Sequence, residues 1–326
     1  MNTFGRNFRI SIFGESHGER VGVVIDGCPP GISISDNDFT PDLNRRKSGF
    51  NGTTGRKEAD FPLIRSGIFN GKTTGTPILV VFENKDIRSG DYEKMKDTPR
   101  PGHADMVAWQ KFKDFHDYRG GGHFSGRLTV ALVAAGVIAK KILKTIKIEA
   151  TILEIGGSKD FDRVLEKAIS EGDSLGGIIE CRIRDLPPGV GDPFFDSLES
   201  VLSHIMFSIP GIKAIEFGEG FNCSKMSGSE YNDEIINIEG KTKTNHSGGI
   251  NGGISNGNEI VFRVAVRPTA SIKKPLMTVD LTTGKPAEVI TGGRHDACIA
   301  LRIPVIVEAV TAIVLVDLMS RTCKHT

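Results

Sequence analysis

A chain of 326 residues with 38% hydrophobic and 25% charged residues has the composition of an ordinary globular protein and is long enough for a sizeable core. Its formal net charge of +1 offers no global field for nucleic acid or an acidic membrane surface. Its 39 glycines follow no period, which excludes collagen-like and low-complexity chains.

The five cysteines, Cys28, Cys181, Cys223, Cys298 and Cys323, include no C-x-x-C pair, so neither a disulfide framework nor a zinc ribbon is indicated. A reducing cytoplasm is the expected location. The N-terminal Met-Asn-Thr-Phe-Gly-Arg-Asn lacks the apolar run of a signal peptide. The longest uncharged apolar runs, Leu128 to Ala139 and Ala309 to Val316, fall short of the ~20 residues a bilayer helix needs. They read as buried core helices, and no membrane or nucleic-acid partner is expected.

In chain order, Phe8 to Phe13 and Val21 to Ile25 read as two strands of a hairpin. The polar turn between them, Gly14-Glu15-Ser16-His17-Gly18-Glu19-Arg20, places His17 at its tip, where an exposed histidine is the simpler reading. Ser35 has the position of an N-cap, with Asp36 and Asp38 in the first turn of a helix that ends on Arg45, Arg46 and Lys47. The flexible Gly49 to Gly55 segment follows and makes these cations a candidate anion site. Pro77 to Phe82 is a buried strand, and Glu83 to Arg100 a long polar loop. A helix is expected over His103 to Phe115 and another, apolar nearly all round, over Leu128 to Ile146. Strands at Lys147 to Ile155 and Gly177 to Leu186 flank a helix at Phe161 to Ser170. A helix over Pro193 to Ile209 would carry its proline in the first turn. Ile260 to Val266 alternates as a strand, and a long apolar helix begins or breaks at Pro304 and runs to about Met319. No linker divides the chain, so residues 1–326 read as one domain.

The densest chemistry lies between Arg100 and Arg127. That stretch holds Arg100, His103, Asp105, His116, Arg119, His123 and Arg127, with Gly120 to Gly122 before an apolar helix. Consecutive glycines admit close backbone approach, and a glycine-rich turn feeding a helix start is an anion site. Arginines hold phosphate or carboxylate bidentately. A second glycine cluster spans Asn245 to Ser255, and Gly292-Gly293-Arg294-His295-Asp296 precedes the last helix. From spacing alone Asp296 reads as a helix cap. A metal-dependent phosphohydrolase using His17, His103, His123, Asp105 and Asp296 is one alternative, although no H-E-x-x-H spacing occurs. A non-catalytic anion-binding protein is another.

Six motifs in order resemble the chorismate synthase family. They are Gly14-Glu15-Ser16-His17-Gly18, Arg100-Pro101-Gly102-His103-Ala104-Asp105, Tyr118-Arg119-Gly120-Gly121-Gly122, Asn245-His246-Ser247-Gly248-Gly249, Arg267-Pro268-Thr269 and Gly293-Arg294-His295-Asp296. The resemblance implies loss of phosphate from 5-enolpyruvylshikimate 3-phosphate by anti-1,4-elimination to give chorismate. It implies reduced FMN as cofactor without net redox change, with NADP and FAD as associated nucleotides, and a homotetramer. The implied fold is α+β, a layered β-α-α-β sandwich with a buried helical core between outer antiparallel sheets and an internal duplication.

By the same resemblance His17 is the acid that assists the departing phosphate, and His103 protonates the flavin. Asp296 takes the C6 proton by way of flavin N5. Ser16, Arg46, Arg100, Arg127 and Arg294 would hold substrate. The flavin site would draw on Arg46, His123, Phe124, Ser125, Gly252, Arg267, Pro268, Thr269, Ala270, Ser271 and Arg294, and no metal is implied. The chain departs from the family where Arg-Ser-Ser-Ala-Arg is replaced by His123-Phe124-Ser125-Gly126-Arg127, and where Gly52 stands for a further arginine, with Arg56 a candidate substitute. It has no Rossmann G-x-G-x-x-G after a strand, so an external reductant is expected.

Overall fold

The computed structural model describes residues 2–322, so Cys323 lies outside the described residues. Strands β1 (Thr3–Phe4), β2 (Arg9–Gly14) and β3 (Arg20–Asp26) open the chain. Helix α1 (Asp36–Arg46) starts at Ser35 through a capping box with Asp38 and ends on Arg45 and Arg46, as its terminal charges require. Strand β4 (Leu63–Ser66), the short hairpin β5 (Ile68–Phe69) and β6 (Lys72–Thr73), and strand β7 (Ile78–Glu83) follow. The first sheet is antiparallel in the order β1-β2-β3-β7-β4. Val21, Val23 and Ile25 of β3 sit opposite Phe82, Val80 and Ile78 of β7, and all six are fully buried. Two-residue alternation therefore puts one continuous apolar face inward.

Helix α2 (Asp105–Phe112) is shorter than the expected His103 to Phe115 and gives way to a 3-10 turn. Helix α3 (Thr129–Leu143) is buried nearly all round and lies against β3 and β7. Next come β8 (Lys147–Ile155), α4 (Phe161–Ser170), β9 (Gly177–Arg184), α5 (Leu198–Met206), β10 (Ile212–Phe217) and a short helix α6 (Gly228–Tyr231). The small hairpin β11 (Ile250–Asn251) and β12 (Ile254–Ser255) precedes β13 (Ile260–Val266). A last hairpin, β14 (Leu276–Val279) and β15 (Pro286–Val289), precedes α7 (Pro304–Thr322). The second sheet is antiparallel in the order β10-β13-β9-β8. Ile260, Phe262 and Val264 face Ile183, Cys181 and Ile179 across it, and all are buried.

Helix α7 packs on β8 and β9, and α3 and α7 pack on each other. Their approach is close: a Cβ built on Gly136 of α3 would lie 2.3 Å from the Cβ of Ala309. The protein is thus of mixed helix and sheet, with apolar helices at its centre.

One further expectation is corrected, and one strand was not foreseen. The helix expected from Pro193 begins only at Leu198, because Phe194 takes φ of +64° and Ser197 then caps the helix by accepting from the Ser200 amide at 3.1 Å. Strand β10 escaped notice because a register shift between Ile212 and Ala214 breaks its alternation.

Candidate active site

A cavity of about 450 Å³ opens where the end of α1, the 54–60 segment, the glycine turn before α3, the 267–271 segment and the approach to α7 meet. Its size is that of a small-molecule site. Among the described residues, nine arginine and lysine side chains line it against three carboxylates, Glu58, Asp60 and Asp296. A chain near electroneutrality has therefore gathered its positive charge into one place.

The floor is a buried triad. Helix α1 ends by delivering Arg46 inward, where its Nη2 donates to Asp60 Oδ2 at 2.6 Å. Arg127, just ahead of α3, donates to the other oxygen of Asp60 and, through Nε, to Asn84 Oδ1 at 2.8 Å. Burial alone would raise the Asp60 carboxyl, but the two guanidinium groups hold it below the ordinary value. Burial pushes Arg46 down to about 10, with Arg127 and Arg302 adding to the effect, so it is still protonated at neutral pH. One carboxylate between two guanidinium groups leaves a buried positive excess. Arg46 Nε, Arg302 Nε and Thr269 Oγ1 are buried without a hydrogen-bond partner among the described residues, and all three residues line the cavity. Unpaired buried donors of this kind are costly unless a ligand takes them up.

The opposite wall is built from the Arg100–Asp105 stretch. Arg100 grips Asp105 with Nε at 2.6 Å and Nη2 at 2.8 Å, and its Nη1 donates to Ser271 Oγ at 3.0 Å. His103 Nδ1 donates to Asp105 Oδ1 at 2.5 Å, which leaves Nε2 as the nitrogen for proton exchange. Burial would raise the Asp105 carboxyl, but His103 and Arg100 reverse that and hold it well below the usual range.

Gly120, Gly121 and Gly122 all take positive φ, at 60°, 81° and 52°. They do not feed a helix start directly, since α3 begins only at Thr129. What they make room for is imidazole. A Cβ on Gly120 would lie 2.5 Å from His17 Cδ2, and one on Gly121 3.2 Å from His103 Cε1. His17 is buried at 7% exposure, which corrects the exposed-turn reading. Its Nδ1 lies 3.1 Å from Ser89 Oγ, and Tyr92 meets its ring edge-on at 5.1 Å. Ser16, Tyr92 and Gly120 line the cavity, while His17 stands one layer behind them.

On the third side, Arg294 forks onto Asp86, at 2.5 Å and 3.0 Å. Asp86 is pulled down to about 2 by that hydrogen bond. Asp296 caps nothing: the next helical turn starts at Ile299 behind Cys298, and α7 starts at Pro304. Its Oδ1 accepts from the Thr54 amide at 3.0 Å and its Oδ2 from Arg302 Nη2 at 2.6 Å.

The cavity thus gathers Ser16, Arg46, Arg100, His103, Phe124, Ser125, Arg127, Arg267, Thr269, Ala270, Ser271, Arg294 and Asp296. Besides His17, three expected contributors lie outside its lining. His123 turns away, with Nδ1 donating to the Gly14 carbonyl at 2.8 Å and Nε2 3.1 Å from Asn2 Oδ1. Gly252 is exposed in the β11–β12 turn, and Pro268 is skipped between two lining neighbours. Arg56, the candidate replacement for the missing arginine at Gly52, does line the cavity, and it donates to Ser16 Oγ at 2.9 Å. Asp60, Tyr92, Thr54 and Arg302 were not singled out. Asp60 and Thr54 meet partners that lie far off along the chain, and Tyr92 and Arg302 belong to no recognisable motif. Among the described residues no group of three or more His, Cys, Asp and Glu side chains converges as metal ligands would, and no helix is long and apolar enough to cross a membrane.

Comparison with known proteins adds to this geometry. The family described as chorismate synthase matches residues 8–320. A chorismate synthase of Chitinophaga pinensis is 58% identical over 320 residues, covering 98% of this chain and 96% of that protein. One of Pyrococcus abyssi is 46% identical, covering 96% of each. A solved structure described as a crystal structure of chorismate synthase superposes with a TM-score of 0.76 at 26% identity, covering 98% of this chain and 93% of that one.

Proposed function

The chain belongs to the chorismate synthase family, and from that premise we propose how its own residues carry the reaction. The activity is that of a lyase of the shikimate pathway: 5-enolpyruvylshikimate 3-phosphate loses phosphate and a proton to give chorismate, toward the aromatic amino acids. The observation that carries the site assignment is the cavity with nine cationic side chains against three carboxylates. The substrate is a polyanion with two carboxylates and a phosphate. The buried excess at Arg46 and Arg127, with Arg56 and Arg100, suits it.

Reduced FMN fits the same cavity. The unpaired Arg46 Nε and Thr269 Oγ1 would hold its polar groups, and the lining Phe124 would offer it an apolar face. Ser125, Arg267, Thr269, Ala270, Ser271 and Arg294 would complete its holding. When bound, the flavin supplies the transient electron density that no side chain of this chain offers. His103, held through Nδ1 by Asp105, would exchange a proton at Nε2. His17, one layer behind Ser16, Tyr92 and Gly120, is the acid that assists the departing phosphate. Asp296 accepts a proton as an oriented carboxylate. Arginines stabilise the charge that develops on the leaving phosphate.

The wider expectations follow the same reading. The two sheets, each backed by α3 or α7, support the layered β-α-α-β sandwich and its duplication within one domain. Exposed Phe194, Phe195, Phe221 and Ile238 support assembly into a homotetramer. The unpaired Cys28, Cys181, Cys223 and Cys298 are in keeping with a reducing cytoplasm, and the reductant for the flavin comes from outside.

Titration with FMN, followed by absorbance and fluorescence, tests the cofactor assignment. FMN binds, and binds more tightly once 5-enolpyruvylshikimate 3-phosphate is present. No spectral change in either titration overturns it.

A further inference from the structure

The carboxylate of Asp296 is held from two sides, and neither donor belongs to its own loop. The Thr54 amide takes Oδ1 at 3.0 Å, and Arg302 Nη2 takes Oδ2 at 2.6 Å. The Thr54 side is itself a clasp. Thr54 Oγ1 donates to the Arg294 carbonyl at 2.8 Å, and the Gly52 carbonyl accepts from the amides of Ala297 and Cys298 at 2.9 Å and 3.2 Å. This fixes the backbone of the loop. The orientation of the carboxylate within it then depends on Arg302.

Arg302 closes the 3-10 turn Ile299–Arg302 just ahead of α7, so the body of the fold anchors it. Its guanidinium and the Asp296 carboxylate are shielded, at 19% and 11% side-chain exposure, and both residues line the same cavity. A planar guanidinium holds a carboxylate in a defined orientation better than a point charge does.

We infer that Arg302 is a positioning residue for the reaction, acting through Asp296 by fixing the orientation of its carboxylate toward the bound ligands. The inference rests on the reading of Asp296 as proton acceptor. It is distinct from a contact to the substrate, which would show in KM, and from a strut under α7, which would show in melting temperature alone. A small misplacement of a reacting group costs on the order of 10²-fold in rate, so the loss belongs in kcat.

The test is a double-mutant cycle on the full chain with chemically reduced FMN and saturating substrate. Asp296→Asn lowers kcat by roughly 10²–10⁴-fold. Arg302→Met lowers kcat by about 10–10²-fold at saturating FMN, with KM for the substrate unchanged within about twofold. The double variant is no slower than Asp296→Asn, because two groups acting as a unit lose the same function once. Normal kcat in Arg302→Met, or losses that multiply in the double variant, overturns the inference and leaves the Asp296 assignment standing. Near-normal turnover in Asp296→Asn overturns both. If Arg302→Met does not fold, the same cycle is run with Arg302→Lys, which keeps the charge and the stem. Its kcat loss should again vanish against Asp296→Asn, and unchanged kcat or multiplying losses there overturn the inference equally.

Discussion

Two aspartates in or beside the cavity wall are held for different ends. Asp105 is consumed by its neighbours: Arg100 takes both its oxygens and His103 donates to one of them. It anchors the imidazole and fixes which nitrogen faces outward. Asp296 meets one amide and one guanidinium and still faces the cavity. The depressed Asp105 carboxyl has a consequence for stability. A carboxyl whose folded pKa lies below its unfolded value stabilises the fold above the unfolded pKa of ~3.9, and that contribution is lost as pH falls toward the folded value. Asp105→Asn takes up no proton on acid unfolding. The slope of unfolding free energy against pH, measured by urea denaturation between about pH 2 and 4, should flatten by at most about 1.4 kcal/mol per pH unit, and most at the acid end. An unchanged slope would mean that the ion pair does not survive in solution.

The elements are joined at their closest approaches. Helices α3 and α7 cross where Gly136 meets Ala309, so neither helix can carry a larger residue there. Helix propensity favours alanine over glycine by about 1 kcal/mol. The crossing opposes it, because a methyl group at 136 would lie 2.3 Å from the Ala309 Cβ and 2.5 Å from the Ala309 backbone. Overpacking of this kind costs about 1–3 kcal/mol. Gly136→Ala should therefore lower the melting temperature despite its better propensity. Ala309→Gly in the same chain should recover only part, since the backbone at 309 still crowds the added methyl. A melting temperature raised by Gly136→Ala would show that the helices can part at little cost. The glycine turn before α3 obeys the same logic with imidazole in place of a helix. It was legible in the sequence as a place of close approach, but what approaches it, His17 and His103, was not.

For the molecule as a whole, the apolar faces of both sheets and both central helices form one connected cluster, from Ile10 in the first sheet to Phe262 in the second. We propose that this connected core unfolds as one unit. Phe262 is fully buried, and Phe→Ala in a core costs about 3–5 kcal/mol. Calorimetry of Phe262→Ala should show a single transition moved to lower temperature. Two resolved transitions, with one unmoved, would divide the chain into separately folding halves. The charge balance shows the same contrast of scale: a net charge of +1 conceals a cavity rich in cations, because the acidic residues that balance it lie elsewhere on the molecule.

By itself the sequence determined what local chemistry controls. Ser35 and Asp38 start α1, Phe161–Ser170 forms a helix, and Ile260–Val266 alternates as a strand, because capping and periodicity act within a few residues; of the two readings left open at Pro304, the structure takes the start of α7. Six short motifs in order determined the family. Tertiary structure alone decided which of the named residues share a cavity. It turned His123 toward Gly14, left Gly252 in an exposed hairpin turn, and buried His17 behind Gly120. It also brought in Asp60, Thr54 and Arg302, whose roles depend on partners that only folding places within hydrogen-bond reach. Hydrogen bonds and charge pairs act over a few ångströms of space, and spacing along the chain does not specify distance across it.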